Sequence, residues 1–271
     1  MKKIKLLLCL FMLTTLCGCS NSNKNASSKT LNAAMFWIST SLDPTNNYDG
    51  WVLSRIGVGE TLLKLNEKYE VEPCLAKSYE QIDDTTWKFT LKDSITFSNG
   101  KKVTGENVKA CLERAFEKNT RAIDYFDLNH VEAKGQDIYL YLNKSSGAIL
   151  NNLCEPLFTI YDASQSEEDI ANHPLCTGPF VVDDFVSEKT IDTSKNKKYY
   201  DGKAKLDHVH FSQVADSDAR VLALQSGEVD LANTIDYSSL KLFRNNKDYQ
   251  VLEVLGPRTN VIYMNNETTF L

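Results

Sequence analysis

Residues 84–100 read DTTWKFTLKDSITFSNG. Trp87, Phe89 and Leu91 alternate with Lys88, Thr90 and Lys92, the period-two pattern of a half-buried strand. Ile95 and Phe97 continue the alternation, and Asn99-Gly100 marks a tight turn. Just downstream the period changes. Val108, Cys111, Leu112, Ala115 and Phe116 recur at helical spacing, Thr104 stands in the N-cap position, and Glu106 suits the positive end of the helix. One face packs, while Lys109, Glu113 and Glu117 stay in water. The same mixture extends outward from this stretch. Strand patterns occupy 31–38 (ending at the Ser41-Leu42-Asp43-Pro44 turn), 138–142, 229–232, 251–255 and 261–264. Residues 51–65 start with helical spacing at Trp51, Val52, Arg55, Ile56 and Gly59, then pass into Thr61-Leu62-Leu63. Residues 218–226 form a helix that Gly227 stops. Interleaved strands and helices predict an α/β or α+β class.

The 271 residues carry 30 Lys+Arg, 36 Asp+Glu and 42% hydrophobic residues, values that exclude collagen, low-complexity and disulfide-dense classes. The acidic balance, with no clustered basic surface, argues against a nucleic-acid partner. Residues 1–18 read as an export signal: Lys2, Lys3 and Lys5, an apolar run over 6–13, then a cleavage region. That run is too short to span a bilayer. Loss of its three lysines would move the formal charge from −6 to −9. The Leu16-Cys17-Gly18-Cys19 stretch resembles a lipobox, which makes Cys19 the expected lipidation site and anchors the chain to a membrane without threading it through. Cys17 departs from the usual pattern there. Residues 19–30 are small and polar, a flexible tether. Cys74, Cys111, Cys154 and Cys176 remain; no CxxC spacing exists, so they are read as small buried hydrophobes, with disulfides permitted by export.

Chemistry is nearly silent. There is no nucleophile elbow, zinc-protease motif, phosphate loop or dinucleotide fingerprint. Gly57-Val58-Gly59 is read as close packing. His208 and His210 share one strand face, but no third ligand follows by spacing, so no metal site is assigned. No catalytic residue and no cofactor are predicted.

Several blocks, in order, carry a resemblance: Leu42-Asp43-Pro44; Gly59-Glu60-Thr61-Leu62-Leu63; Glu72-Pro73-Cys74-Leu75-Ala76-Lys77-Ser78-Tyr79-Glu80; the opening stretch itself; Thr177-Gly178-Pro179-Phe180; Asn196-Lys197-Lys198-Tyr199-Tyr200-Asp201-Gly202; and ARVLALQSGEVDL over 219–231. From about Leu31 to Asn265 the chain resembles the N-terminal half of the family 5 bacterial extracellular solute-binding proteins, the peptide and nickel lipoproteins of ABC importers. The resemblance implies a type II (cluster C) periplasmic-binding-protein-like α/β fold. Residues 31–72 and 174–260 would form the first lobe, 73–173 an inserted subdomain of it, and 261–271 a hinge strand and the start of a second lobe that is otherwise missing. Such proteins close two lobes on a ligand. It further implies capture of oligopeptides or nickel chelates at the outer face of the cell membrane (the periplasm, where an outer membrane exists), delivery to an ABC permease, and a monomeric, non-enzymatic protein. With half the cleft wall absent, the chain alone is expected to bind weakly or not at all. A receptor module on the same fold, or a hydrolase, are the rival readings.

The resemblance also implies site residues. Arg121 matches an Arg of nickel-chelate binders that follows the subdomain's first helix, and a guanidinium there can grip a carboxylate bidentately. Glu155 stands where those binders carry a second Arg; this reverses the local charge and suits an ammonium group. Trp37 is the counterpart of the aromatics that the first-strand loop lends the cleft. Tyr263 and Asn265 belong to the hinge.

Overall fold

The computed structural model describes residues 28–254, 256 and 261–262. The signal, Cys19, most of the tether, Tyr263 and Asn265 lie outside the described residues. In chain order the elements are β1 (Thr30–Met35), α1 (Gly50–Arg55), β2 (Leu63–Leu65), β3 (Val71–Pro73), β4 (Ala76–Gln81), β5 (Thr86–Leu91), α2 (Gly105–Lys118), α3 (Ala122–Tyr125), β6 (Leu128–Lys134), β7 (Asp137–Leu142), α4 (Ile149–Asn152), a 3-10 turn at Pro156–Phe158, α5 (Glu167–Asn172), β8 (Phe180–Val186), β9 (Thr190–Lys195), β10 (His208–Gln213), α6 (Ser217–Ser226), β11 (Leu231–Ala232), a 3-10 turn at Tyr237–Ser239, and α7 (Lys241–Arg244).

Two sheets organise these elements. One has five strands in the order β11-β1-β10-β9-β8, with β1 parallel to both β10 and β11 and the rest antiparallel. The other has four antiparallel strands in the order β4-β5-β7-β6, and β2 pairs with β3 as a short ribbon. In β5 the alternation works as its sequence predicts: Phe89 and Leu91 are fully buried and face the core with Ile138 and Leu140 of β7. Helix α2 lies on this sheet with Val108, Cys111, Leu112 and Ala115 inward. Thr104 starts it by donating both its backbone N–H and its hydroxyl to Asn107 Oδ1, at 3.0 and 2.9 Å. A single apolar cluster runs from this sheet through Leu53, Leu62 and Phe158 to Val182 and Ile191 of the five-stranded sheet.

The motif blocks meet in space. Glu60 is largely buried; its carboxylate accepts from Thr177 Oγ1 at 2.8 Å, Tyr199 OH at 3.0 Å and Tyr200 OH at 3.3 Å. Burial pushes its carboxyl upward, only partly offset by those hydroxyls. Gly178 packs so closely on residues 57–58 that a Cβ would stand 2.5 Å from the Gly57 carbonyl oxygen, so only glycine fits.

Three expectations change. The helical spacing read from Trp51 to Gly59 gives a helix only as far as Arg55, because the chain turns away through Gly57 toward the 178 loop. Residues 251–254 form no strand: Leu252 and Val254 are exposed, and no neighbour supplies a ladder among the described residues. Val261 and Ile262, the described part of the expected hinge strand, are likewise outside any strand and exposed. The helix over 218–226 forms as α6 and ends at Gly227. All four cysteines are free thiols, with Cys74, Cys111 and Cys176 buried and Cys154 half-buried. Among the described residues, no helix is long and apolar enough to cross a membrane.

Candidate functional site

A buried ion cluster sets the stage. Arg114, on α2, grips Asp43 through two bonds, Nη1 to Oδ1 at 2.8 Å and Nη2 to Oδ2 at 2.7 Å. The same guanidinium donates to Thr45 Oγ1, Tyr161 OH and Glu167 Oε2 at 2.7, 2.8 and 2.6 Å. Burial alone would raise the Asp43 carboxyl, but the bonds from Arg114 and Thr45 outweigh it and hold the group below its ordinary range. This cluster fixes the loop after β1. Asn119, buried just past α2, then donates from Nδ2 to the carbonyls of Thr45 and Asn47 at 3.1 and 3.0 Å, and accepts from the Arg121 N–H at 3.0 Å. Asn47 takes the left-handed conformation (φ 46°) that Asn tolerates better than most residues. The turn carries Tyr48 onto Arg121.

From that scaffold three predicted residues meet. Trp37, Arg121 and Glu155 line one cavity of about 440 Å³ with Phe36, Tyr48, Trp51, Arg55 and Tyr125. Arg121 starts the short helix α3, and its guanidinium lies 3.7 Å over the Tyr48 ring, a close cation–π contact. Its Nη1 donates to the Asn47 carbonyl at 2.9 Å and its Nη2 to Tyr125 OH at 2.7 Å. Glu155 arrives from the turn after α4. Its Oε1 accepts from Trp51 Nε1 at 2.9 Å and stands 3.9 Å from Arg121 Nη2. The meeting of Trp51 and Glu155 needs Gly50, because a Cβ there would fall 2.4 Å from the Pro156 carbonyl oxygen. Arg55 lies 5.4 Å from the Phe36 ring and 5.6 Å from the Trp51 ring.

Burial raises the Glu155 carboxyl above its ordinary range, against the lowering effect of Tyr125, Trp51 and Arg121. Burial likewise pushes the Tyr125 phenol up to about 12, reinforced by the Glu155 charge. The cavity therefore combines two guanidiniums, one desolvated carboxylate and five aromatic rings. Such an arrangement of rings and charges can hold a small polar solute.

The sequence reading found three of these residues and missed Phe36, Tyr48, Trp51, Arg55 and Tyr125. A signal existed for two of them. Trp51 and Arg55 stand one helical turn apart and share the apolar spacing read for 51–65, but in α1 they face the cavity while Val52 and Ile56 take the core. Trp37 both packs against the core and lines the cavity. The His208/His210 pair holds no candidate metal group: His210 Nδ1 instead contacts Asp192 Oδ1 at 2.6 Å, and no cluster of three ligating side chains occurs among the described residues.

Residues 70–271 match the family described as "Bacterial extracellular solute-binding proteins, family 5 Middle". The chain is 32% identical over 251 residues to the nickel-binding protein NikA of Staphylococcus aureus, an alignment covering 93% of this chain and 50% of the relative. The crystal structure of S. aureus NikA in complex with Ni(L-His)2 superposes with a TM-score of 0.76 over 81% of this chain and 46% of that one, at 32% identity. The Helicobacter pylori periplasmic binding protein DppA in complex with the peptide STSA superposes with a TM-score of 0.71 over 81% and 49%; at 22% identity it speaks to the fold alone. The chain spans about half the length of the curated relatives it matches. The fold is that of the type II periplasmic binding proteins, and the chain belongs to the family 5 bacterial extracellular solute-binding proteins.

Proposed function

We propose that this chain captures a nickel chelate or a short peptide outside the cell in the cavity between Trp37, Arg121 and Glu155, for delivery to an ABC permease. The observation that carries the reading is the convergence of those three side chains, from distant parts of the sequence, on one aromatic cavity of about 440 Å³. Arg121 would grip a ligand carboxylate, and the surrounding rings would cover its planar or aliphatic parts. The resemblance to S. aureus NikA, whose structure holds Ni(L-His)2, favours a metal–amino-acid complex; a peptide carries the same carboxylate and N–H groups. The cavity would be one wall of a two-lobe clamp. In that arrangement 31–72 and 174–260 form the lobe, 73–173 its inserted subdomain, and 261–271, with Tyr263 and Asn265, the approach to the hinge. A lipid on Cys19 would hold a monomeric, non-enzymatic chain at the outer face of the membrane through the tether.

Calorimetry of the whole chain with Ni(II)–L-histidine and with di- to pentapeptides tests this. Of weak binding or none, weak binding is the expected outcome: saturable, with a Kd of about 0.1–1 mM, and weakened about tenfold or more in Arg121→Ala. Absence of saturation with every probe, or identical binding by the variant, would contradict it.

A further inference from the structure

The cavity has a charge pattern that a simple anion trap would not have. Its charged lining groups are Arg55, Arg121 and Glu155. Arg121 is already engaged by a carbonyl, a phenol and a ring, and its distance of 3.9 Å from Glu155 is too long for a bidentate pair. Glu155 is therefore close enough to feel Arg121 but is not locked to it by a bidentate pair. The indole N–H of Trp51 anchors it and the Tyr125 hydroxyl lies beside it, with just 13% of its side chain exposed. A ligand entering here brings its own charges next to a desolvated carboxylate, where low dielectric magnifies their effect. A ligand that is anionic all round must place a second carboxylate near Glu155. A ligand with an ammonium, amide or coordinated-amine N–H beside its carboxylate can give the carboxylate to the guanidiniums and the N–H to Glu155.

We propose that Glu155 is a specificity-determining residue that selects solutes bearing both a carboxylate and an N–H donor, of the amino-acid or peptide kind, against solutes that carry only anionic groups. This rests on the reading of the cavity as the solute site. The selection is by repulsion as much as by attraction: the rejected ligand fits the rings and the guanidiniums but leaves like charges face to face. Trp51 is a positioning residue in this scheme, because its N–H fixes which way the carboxylate points.

The test uses the whole chain and four probes. Ni(II)–L-histidine and triglycine carry N–H donors; Ni(II)–citrate and tricarballylate are anionic without them. Titrations follow heat or tryptophan fluorescence for the wild type, Glu155→Gln, Glu155→Arg and Trp51→Phe, with circular dichroism to confirm that each variant is folded. In Glu155→Gln the amide oxygen still accepts from Trp51, so the geometry is kept and the charge removed. The wild type is expected to bind at least one N–H probe about tenfold or more tightly than either anionic probe. Glu155→Gln should narrow that preference to about threefold or less, chiefly by improved binding of the anionic probes, and Glu155→Arg should reverse it. Equal or tighter binding of the anionic probes by the wild type, or an unchanged preference in folded Glu155→Gln, would overturn the proposal while leaving the solute site in place. Failure of all four probes to bind would overturn both.

Discussion

Two arginines seven positions apart serve the molecule in opposite ways. Arg114 is sealed beneath the loop after β1, with a bidentate carboxylate and three further oxygens on its guanidinium. Arg121 lies at the cavity, held by a carbonyl, a phenol and a tyrosine face, with its nearest carboxylate 3.9 Å away. The first is saturated and serves the fold. The second is oriented with its nearest carboxylate too far for a bidentate pair, which leaves its guanidinium able to take a ligand carboxylate. The two are linked, because the loop that Arg114 pins supplies the Asn47 carbonyl and Tyr48 ring that aim Arg121.

The sharpest way to break this contrast is to remove each cation. Arg114→Met leaves Asp43 buried and unpaired and should cost about 3–5 kcal/mol in urea unfolding. Arg121→Ala should cost about 1 kcal/mol or less, because it breaks no bidentate pair and its nearest carboxylate stands 3.9 Å away. Equal losses would dissolve the distinction. A smaller effect concerns Asp49, buried under the same loop. Burial raises its carboxyl to about 6, helped by the nearby Asp43 charge and opposed by the bond from Asn46. A folded-state value above the unfolded one means that ionisation works against the fold as pH rises through 6, and this penalty disappears below about 4. Asp49→Asn should therefore stabilise the chain by about 1–2 kcal/mol at pH 8 and have little effect at pH 4, as read from melting temperatures at the two pH values.

On the cavity side, the indole of Trp51 reports on Glu155. Its fluorescence should titrate with a midpoint above the ordinary glutamate value, and Glu155→Gln should abolish that transition; an unchanged titration in the variant would detach Trp51 from the carboxylate. The mildest contrast is in the thiols. Cys111, fully buried near Arg114, bonds to the Tyr161 backbone, whereas Cys154 is half-buried beside Glu155. Alkylation of the native chain, followed by mass spectrometry, should label Cys154 well before Cys111 and Cys176.

The fold was legible where physics repeats. The alternation in β5, the spacing in α2 and the Gly227 stop of α6 each express a local rule, and the structure obeys them. The ordered blocks were legible as a pattern but not as a cause. Only in three dimensions does Glu60 find Thr177, Tyr199 and Tyr200, and Gly178 find Gly57. Arg114 escaped notice because a charged residue on a helix usually faces water, and nothing in the sequence announces that Asp43 awaits it. Of the strand expected over 251–255, the described residues 251–254 form none, because apolar alternation needs a neighbouring strand to become a ladder. Five of the eight cavity residues went unread for a similar reason. Tyr48 and Tyr125 join the cavity only because Asn119 and Asn47 fold two loops toward each other, and Trp51 stands beside Val52 and Ile56 in one apolar spacing that reads as a core pattern.

The central claim is that the cavity holding Trp37, Arg121 and Glu155 receives the solute. The most direct measurement is titration of the whole chain with Ni(II)–L-histidine and with triglycine, following Trp37 and Trp51 fluorescence in the wild type and in Arg121→Ala. The account predicts a saturable change for at least one probe in the wild type, lost or shifted about tenfold in a variant whose melting temperature is nearly unchanged. A saturable response that survives Arg121→Ala intact, or no response in the wild type, would contradict it.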